Sequence, residues 1–251
     1  MNPQSRIGVL VAFGLEAFHL AGRYGWKRRN GLMTKVRSSG GREWIWCIAG
    51  TGSDNAAAAA RKLLQMGAGA ILNPGTSGGL DPGIKGGELV LADRIVDSSG
   101  RVWQSPTGFF QWSKRLVTRY GSVHQGGILC ASAAVLDPIE KARIFQESGL
   151  LAVDTESGGA ARESAERDVP FLALRAICDT AEEKVAVECL EILSRDGRID
   201  FSRLWNALMH RPVLILDLIR MQRRFSRAIR ELGRGVHMLV EKDVQGEAEW
   251  K

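Results

Sequence analysis

Several patterns that would assign this chain to a common class are missing from its sequence. No apolar run approaches the roughly 20 residues that cross a bilayer, which excludes a helical membrane protein. The four cysteines are widely spaced and form no CxxC pair, so neither a disulfide framework nor a zinc site is expected. The four histidines show no HExxH spacing, so we expect no metal centre. The 29 glycines have no period, which excludes a collagen-like chain.

What is present indicates a globular α/β protein. The chain has 251 residues and is 45% hydrophobic, enough to bury a sizeable core in one large domain. Residues 1–6 show no signal-peptide pattern, and the cysteines have mostly apolar neighbours, so we expect a reduced, cytoplasmic protein. The net charge is +6, and much of the excess lies after residue 210.

Two apolar runs with carboxylates at their ends are the strongest functional signal. Residues 151–154 and 171–179 predict short buried strands, and the Ala-rich segment Ser157 to Arg167 predicts a crossover helix between them. Carboxylates follow both strands, at Asp154, Glu156 and Asp179. Because open α/β sheets bind ligands at the carboxyl ends of parallel strands, this pattern predicts a βαβ unit that carries an acidic site. The same acids also suit the first turns of helices as caps, and taken singly that interpretation is favoured.

Glycine-rich turns and another acid follow the other predicted strands. Arg6 to Phe13 predicts a buried first strand, with Glu16 just past its end. Gly50 to Asp54 opens a predicted helix and presents backbone N–H groups to an anion or hydroxyl, although it lacks a Walker or full dinucleotide pattern. Pro74 to Pro82 predicts a loop whose small residues let the backbone approach a ligand closely. Ile128 to Val135 predicts a further strand.

In these segments the chain resembles the nucleoside phosphorylase/nucleosidase superfamily. IGVLVAFGLE (7–16) is similar to the first strand and acidic cluster of the methylthioadenosine/adenosylhomocysteine nucleosidases, and NPGTSGGLDP (73–82) to the family's Gly-rich loop. AVDTE (152–156) resembles the ribose-binding VEME segment, and VPFLALRAICD (169–179) the purine-contacting VPFVVVRAISD segment. The match is collinear from about residue 6 to 180. The resemblance implies a three-layer α/β/α fold with a central mixed sheet, nucleoside phosphorylase-like, and cleavage of an N-glycosidic bond.

The resemblance also implies site roles. Asp179 and Glu16 are the expected catalytic residues: Asp179 would protonate or hydrogen-bond the purine at N7, and Glu16 would activate the attacking water. Glu156 would bind the ribose hydroxyls and place a carboxylate beside the developing cation. The expected substrate-binding residues are Glu156, Thr155, Asp154, Val135 and Cys178. The expected phosphate- or water-binding residues are Gly75, Thr76, Ser77 and Gly14. The alternatives are a first-turn helix acid for Glu16 and a turn residue for Thr76.

Three positions depart from the family pattern. Asn73 stands where hexameric phosphorylases carry a phosphate-binding arginine, which favours water over phosphate as the nucleophile. Val135 falls where the nucleosidases place an aromatic residue against the base, and Thr155 replaces the Met of the ribose-binding segment. The loss of bulk is consistent with a different substrate tail, and neutral drift explains it equally well. No cofactor is expected, although inorganic phosphate stays open as a co-substrate.

The C-terminal part of the chain is longer than one closing helix requires. Glu182 to Ser194 predicts that closing helix, which divides the chain into a catalytic domain, 1–195, and a helical, basic extension, 196–251, packed on it or continuous with it. Within the extension we predict a short helix over 201–210 and a longer one that begins at Arg211-Pro212.

The longer helix has an amphipathic pattern. Its apolar stripe consists of Leu214, Leu218, Met221, Phe225, Ile229 and Leu232. Its basic face consists of Arg223, Arg227, Arg230 and Arg234. A core-facing helix with a solvated basic side is favoured; the alternative is peripheral contact through residues 211–234 with the anionic inner membrane surface. Nucleic-acid binding is not expected, because the basic face lacks interleaved aromatics.

Residues 196–232, DGRIDFSRLWNALMHRPVLILDLIRMQRRFSRAIREL, resemble the ending of the hopanoid-associated phosphorylases. That resemblance implies release of adenine from adenosylhopane, a lipid-linked nucleoside, in hopanoid side-chain biosynthesis. Two alternatives stay open: a methylthioadenosine/adenosylhomocysteine nucleosidase of purine and methionine salvage, and a non-catalytic nucleoside-binding or membrane-associated module. The expected partners are thus a small or lipid-linked nucleoside and, as is usual for the superfamily, further copies of the chain in a homo-oligomer.

Overall fold

The computed structural model of the chain describes residues 6–29, 31–119, 121–188 and 214–241. The strands are β1 (Arg6–Val11), β2 (Lys27–Arg29), β3 (Leu32–Ser39), β4 (Arg42–Ile48), β5 (Ala70–Gly79), β6 (Leu89–Asp97), β7 (Val102–Gln104), β8 (Val123–Cys130), β9 (Ala152–Asp154) and β10 (Phe171–Asp179). The helices with described bounds are α1 (Gly14–Ala21), α2 (Ser53–Gln65), α3 (Thr107–Val117), α4 (Pro138–Ser148), α5 (Ser157–Ala165) and α6 (Leu214–Glu241). Among these helices, none is both long enough and apolar enough to cross a membrane.

All the strands belong to one mixed sheet, half of which closes on itself. In the open half, β1 pairs in parallel with both β4 and β5, and β3 and β2 extend the sheet antiparallel beyond β4. In the other half, β5 pairs with β10, β10 with β6, β6 with β8, β8 with β9, and β9 again with β5. These five strands therefore form a closed ring with no free edge inside it, and β7 pairs with the outer part of β6.

Helices cover both faces of the sheet, which confirms the three-layer fold class. One apolar cluster joins β1, β5, β6 and β10 to α1, α3 and α6, and a second joins the opposite face to α2 and α5. The helices of the second face approach each other closely, since a Cβ on Gly159 of α5 would lie 1.9 Å from the carbonyl oxygen of Ser53 in α2. Cys47 and Cys130 are buried free thiols in this second cluster, as the sequence predicts.

The long C-terminal helix packs on the core. Its side chains Ala228, Ile229, Leu232, Val236, Leu239 and Val240 are buried in the first cluster. The arginines at 223, 227, 230 and 234 are exposed, so the core-facing interpretation of the amphipathic pattern is correct. The predicted domain boundary at 195/196, the helix over 201–210 and the second half of the helix predicted for Glu182 to Ser194 lie outside the described residues. In the described half of that predicted helix, residues 182–186 are not helical.

Two predicted elements differ from the structure in extent. The strand predicted for Ile128 to Val135 ends at Cys130, so Val135 lies in the connection to α4. The loop predicted for Pro74 to Pro82 is largely strand, because β5 continues to Gly79 and pairs with β10 over this length. Glycine permits this pairing: a Cβ on Gly75 would lie 3.2 Å from Nη1 of Arg175, so a larger side chain would displace that guanidinium.

The predicted parallel βαβ unit is wrong in its strand pairing. β9 runs antiparallel to β5, whereas β10 runs parallel to β5, so β9 and β10 have opposite directions. They are also not neighbours in the sheet. The helix between them, α5, is as expected, and it returns the chain across the ring rather than to an adjacent strand. Both strands nevertheless pair with Gly78 of β5, β9 through Val153 and β10 through Asp179, so the two acidic ends lie on either side of β5.

Candidate active site

Glu16 is a buried carboxylate with one free oxygen. It lies in the first turn of α1, directly after β1, which runs parallel to its neighbour β5. Its Oε1 accepts hydrogen bonds from the Thr76 backbone N–H at 3.0 Å and from Thr76 Oγ1 at 2.9 Å. Its Oε2 is buried and has no partner among the described residues. Burial raises the pKa of Glu16, although the Thr76 bonds and the charge of Arg175 oppose the rise.

Of the predicted water- or phosphate-binding residues, Thr76 contacts this carboxylate, and the others lie in the same two elements. Gly75, Thr76 and Ser77 are consecutive in β5, and Gly14 is the first residue of α1. The hydroxyl of Ser77 is buried without a partner among the described residues. Because Thr76 donates both its N–H and its hydroxyl to Glu16, its donors hold the carboxylate in place. That use differs from the direct anion contact that the sequence suggests.

Glu156 is the second acid of the site. Its Oε1 accepts from the backbone N–H of Gly52 at 3.0 Å and from Thr155 Oγ1 at 2.8 Å, while its Oε2 accepts from the Thr155 N–H at 3.3 Å. The Gly-rich turn before α2 therefore does bind an anion, and that anion is the Glu156 side chain. Glu156 is close enough to Glu16 for its negative charge to raise the pKa of Glu16. The residues that follow β1 and β9 therefore belong to one site.

A buried ion pair between Arg175 and Asp154 holds this arrangement in place. Arg175, in the middle of β10, donates from Nε to Asp154 Oδ2 at 2.7 Å and from Nη2 to Asn73 Oδ1 at 2.6 Å. Asp154 Oδ1 accepts from the N–H groups of Glu156 and Ser157 and from the Ser157 hydroxyl. Asp154 thus has both oxygens bonded within the protein, and it fixes the turn that carries Glu156.

Sequence reasoning missed Arg175, although a signal exists. An arginine in the middle of the apolar run FLALRAICD has to be buried, and a buried guanidinium requires a carboxylate partner. Asn73, which the sequence singles out, is the other half of this network: it donates to the Leu10 carbonyl at 2.8 Å and accepts from Arg175.

Asp179 lies at the end of β10 and is paired with a lysine. Lys141 of α4 has a side chain with no exposed surface, and its Nζ donates to Asp179 Oδ2. Burial raises the pKa of Asp179, and the charge and hydrogen bond of Lys141 oppose that rise. Sequence reasoning also missed Lys141, because a lysine in a polar helix is usually solvated and nothing in the local pattern distinguishes it.

Of the two remaining predicted residues, Cys178 directly precedes Asp179 in β10, whereas Val135 lies in the connection to α4. Cys178 is half-buried, and burial raises the pKa of its thiol to about 12, so it is neutral at physiological pH. The negative charges of Asp179 and Glu16 also raise the pKa of this thiol, so Cys178 lies near both acids. Val135 is buried in a third apolar cluster with Leu80, Leu150 and Val153.

This geometry pairs a base with an acid. Glu16 offers a fixed, buried oxygen that can accept a proton from a nucleophile, and Asp179 is a half-buried carboxyl that can give one to a leaving group. Glu156 adds a negative charge near Glu16, where it can stabilise a developing cation. The site therefore suits displacement at a carbon that becomes electron-deficient.

Comparison with known proteins identifies the family. Residues 6–198 match the sequence profile of the Phosphorylase superfamily. A 5'-methylthioadenosine/S-adenosylhomocysteine nucleosidase of Pseudoalteromonas translucida (strain TAC 125) is 27% identical over 161 residues, 56% of this chain and 68% of that protein. The nucleosidase of the same name from Haemophilus influenzae (strain PittGG) is 24% identical over 163 residues, 57% of this chain and 71% of that protein.

Solved structures share the fold over nearly the whole chain. The 5'-methylthioadenosine/S-adenosylhomocysteine nucleosidase from Neisseria meningitidis, in complex with methylthio-immucillin-A, superposes with a TM-score of 0.74 at 18% identity, covering 95% of this chain and 99% of that one. Futalosine hydrolase of Helicobacter pylori strain 26695 gives a TM-score of 0.73 at 15% identity, covering 95% and 98%. With a family profile that spans most of its length and a fold shared to this extent, the chain belongs to the phosphorylase superfamily, as an enzyme of its nucleosidase and phosphorylase type.

Proposed function

We propose that this enzyme hydrolyses the bond between adenine and ribose in a nucleoside with a substituent on its 5′ carbon. The observation that carries the proposal is the Glu16 carboxylate, held through Oε1 by Thr76 while its buried Oε2 has no partner among the described residues. A free, immobilised carboxylate oxygen of this kind can orient a water and accept its proton. The curated relatives named above, which are nucleosidases, support the same reaction class.

The proposed mechanism gives each acid one task. As the N9–C1′ bond breaks, its electron pair passes to the purine, and a proton from Asp179 goes to N7. Glu156 binds the ribose hydroxyls and stabilises the cationic ribosyl group. Water then attacks C1′ and gives a proton to Glu16. Thr155 holds the Glu156 carboxylate in position through two hydrogen bonds. Asp154 fixes the turn that carries Glu156.

Water is favoured over phosphate by the charges around Glu16. A phosphate dianion there would be repelled by the carboxylates of Glu16 and Glu156. Arg175, the cation whose charge reaches Glu16, has its nitrogens bonded to Asp154 and Asn73 and is not free to bind phosphate. Asn73 itself is buried between Leu10 and Arg175.

For the 5′ substituent, the first candidate is the small thioether of 5′-methylthioadenosine or S-adenosylhomocysteine, the substrates named for the curated relatives. The second candidate is the hopane of adenosylhopane. It is supported by a groove of about 900 Å³ between α1 and α6, which could hold a large apolar group. Its apolar lining includes Leu15, next to Glu16, together with Phe225 and Ile229. A polycyclic lipid tail requires such a surface, since it cannot remain in water.

Two wider proposals accompany the second candidate. Exposed apolar residues at the start of α6, Ile215, Leu216 and Ile219, and the arginines farther along suit peripheral contact with an anionic membrane. The superfamily resemblance also favours a cytoplasmic homo-oligomer.

The test is adenine release, measured chromatographically, from 5′-methylthioadenosine, S-adenosylhomocysteine and adenosylhopane, each with and without phosphate. We expect release without phosphate, and Glu16→Gln to lower kcat by roughly 10²- to 10⁴-fold, the usual size of a general-base effect. Glu147→Gln, which changes an exposed acid on α4, is the matched control and should behave as wild type. A strict phosphate requirement, or full activity in Glu16→Gln, would overturn the hydrolytic proposal. The preferred nucleoside decides between the two candidates for the 5′ substituent.

A further inference from the structure

The Lys141 ammonium group forms all of its hydrogen bonds at the end of β10 and in the segment that follows it. Besides Asp179 Oδ2, its Nζ donates to the carbonyl oxygens of Thr180 at 2.9 Å and Glu183 at 3.2 Å. An ammonium group has three donors, and all three are used. Because the side chain has no exposed surface, Lys141 has no direct access to a substrate and can influence the reaction only through the groups it binds, of which Asp179 is the one that can transfer a proton.

The other charges that face Asp179 largely offset each other. Glu183, on the segment that follows β10, and Arg224, from α6, form an ion pair at 2.8 Å, and their effects on Asp179 have opposite signs. Glu183 is further held by the Thr180 N–H, which donates to its Oε2 at 2.9 Å. Lys141, on α4, is therefore the main uncompensated charge beside the Asp179 carboxylate.

We propose that Lys141 makes Asp179 an effective acid, by stabilising the carboxylate that Asp179 becomes once its proton has passed to the leaving purine. The inference rests on the proposed nucleosidase reaction. In that step the O–H bond of the Asp179 carboxyl breaks and an N7–H bond forms, while the N9–C1′ electron pair enters the purine. The negative charge left on Asp179 then forms a charge-assisted hydrogen bond with the Lys141 ammonium, and no further reactant is needed.

Two opposing effects make this pairing useful to an acid. Burial alone raises the pKa of Asp179, so it would keep its proton and transfer it poorly. Lys141 lowers the cost of the buried negative charge that the transfer creates. An acid must both hold a proton before the reaction and release it during the reaction, and this combination serves both requirements. Lys141 is thus a positioning residue for the acid and not itself a catalytic residue.

The test compares Lys141→Met with wild type in the full-length protein. The first measurement is a ¹³C NMR titration of the Asp179 carboxyl without substrate, assigned with Asp179→Asn. The second is the pH profile of kcat and KM for adenine release from 5′-methylthioadenosine. We expect Asp179 to titrate at higher pH in Lys141→Met, the alkaline limb of the profile to move the same way, and kcat to fall about 10- to 100-fold. KM should change little, because Lys141 does not touch the substrate.

Control variants separate the charge from the packing. Lys141→Arg keeps a cation and should leave the Asp179 titration near that of wild type. Arg220→Met removes an exposed α6 arginine paired with Asp217, and it should change neither measurement. Lys141→Gln, which keeps a donor for the two carbonyls, provides the same comparison if Lys141→Met does not fold.

An unchanged Asp179 titration in the charge-free variants overturns the proposal, even if kcat falls, because the loss would then be structural. The titration needs no substrate. A wild-type enzyme that cleaves no adenine nucleoside would therefore refute the proposed function and still leave the electrostatic role of Lys141 readable.

Discussion

Single buried residues determine where the acids of this site can lie. Arg175 binds Asp154 and Asn73, and Asp154 in turn fixes the turn that holds Glu156. Such a network costs desolvation, and it is tolerated when every buried polar group has a partner. At this site two buried polar atoms lack a partner among the described residues, Glu16 Oε2 and the Ser77 hydroxyl, and the first lies where the proposed water would bind.

The buried Glu16 carboxylate should reduce stability at neutral pH. Its pKa is raised above the ordinary value of 4.5 by burial, so the folded state binds its proton more tightly than the unfolded state. The contribution of this protonated carboxyl to the free energy of unfolding is fully present below pH 4.5. It is lost as the pH rises through the pKa that Glu16 has in the folded state. We therefore expect Glu16→Gln, which can still accept both Thr76 bonds, to be more stable than wild type by roughly 0.5–2 kcal/mol at neutral pH.

Urea unfolding at neutral pH and below pH 4.5 measures this difference, which should vanish at the lower pH because both proteins are then uncharged at position 16. A Glu16→Gln variant that is less stable at neutral pH would show that the carboxylate is not strained by its burial.

At the scale of elements, close approach between backbones decides the geometry. β5 carries glycines where side chains of β10 cross it, and α5 carries Gly159 where it meets α2. The sequence indicates a glycine-rich segment after a short strand at residues 68–73, and a loop is the ordinary interpretation. Pairing with β10, and at Gly78 and Gly79 with β9, turns 74–79 into strand, and the pairing with β10 joins residues about 100 positions apart, beyond any local pattern.

Gly159→Ala should separate α2 from α5. Its Cβ would lie 1.9 Å from the Ser53 carbonyl oxygen, a backbone atom that cannot move without shifting α2. We expect a loss of about 3 kcal/mol or more in the free energy of unfolding, at the upper end for overpacking. Gly233→Ala on α6 is the matched control. Its Cβ meets nothing nearer than Leu20 Cδ2 at 3.9 Å, so the helix should gain roughly 0.5–1 kcal/mol.

Both free energies follow from chemical denaturation monitored by circular dichroism. Equal changes in the free energy of unfolding for the two glycine variants would contradict the prediction. They would show that helix propensity, and not the close approach of α5 to α2, determines the effect.

At the scale of the whole molecule, the last described helix completes the core. The family profile ends at residue 198, yet α6 buries six apolar side chains against the sheet and between α1 and α3. Relatives cover 95% of this chain in structure, which includes most of the C-terminal region. This helix therefore belongs to the shared fold.

A chain that ends at residue 198 should consequently fail to fold. Removing α6 would expose one face of the main apolar cluster, and each fully buried side chain that it contributes is worth about 1.5–3 kcal/mol. For these six side chains, one of which is an alanine, the sum is comparable with the whole stability of a typical domain, about 5–15 kcal/mol. We expect this truncated chain to be insoluble or to lack a cooperative thermal transition, whereas a chain that ends at Glu241 keeps both. A folded, cooperative 1–198 fragment would refute this assignment.

Apolar periodicity and short motifs are local properties of the chain, so the sequence alone was enough to predict the fold class and the superfamily, and it singled out Glu16, Glu156 and Asp179 as the predicted site. It did not determine the closed ring of strands, the opposite directions of β9 and β10, or the partners Arg175 and Lys141. Those depend on contacts between segments far apart in sequence. In such contacts burial and charge pairing act together, so the lysine that lies beside Asp179 can be identified only once the chain is folded.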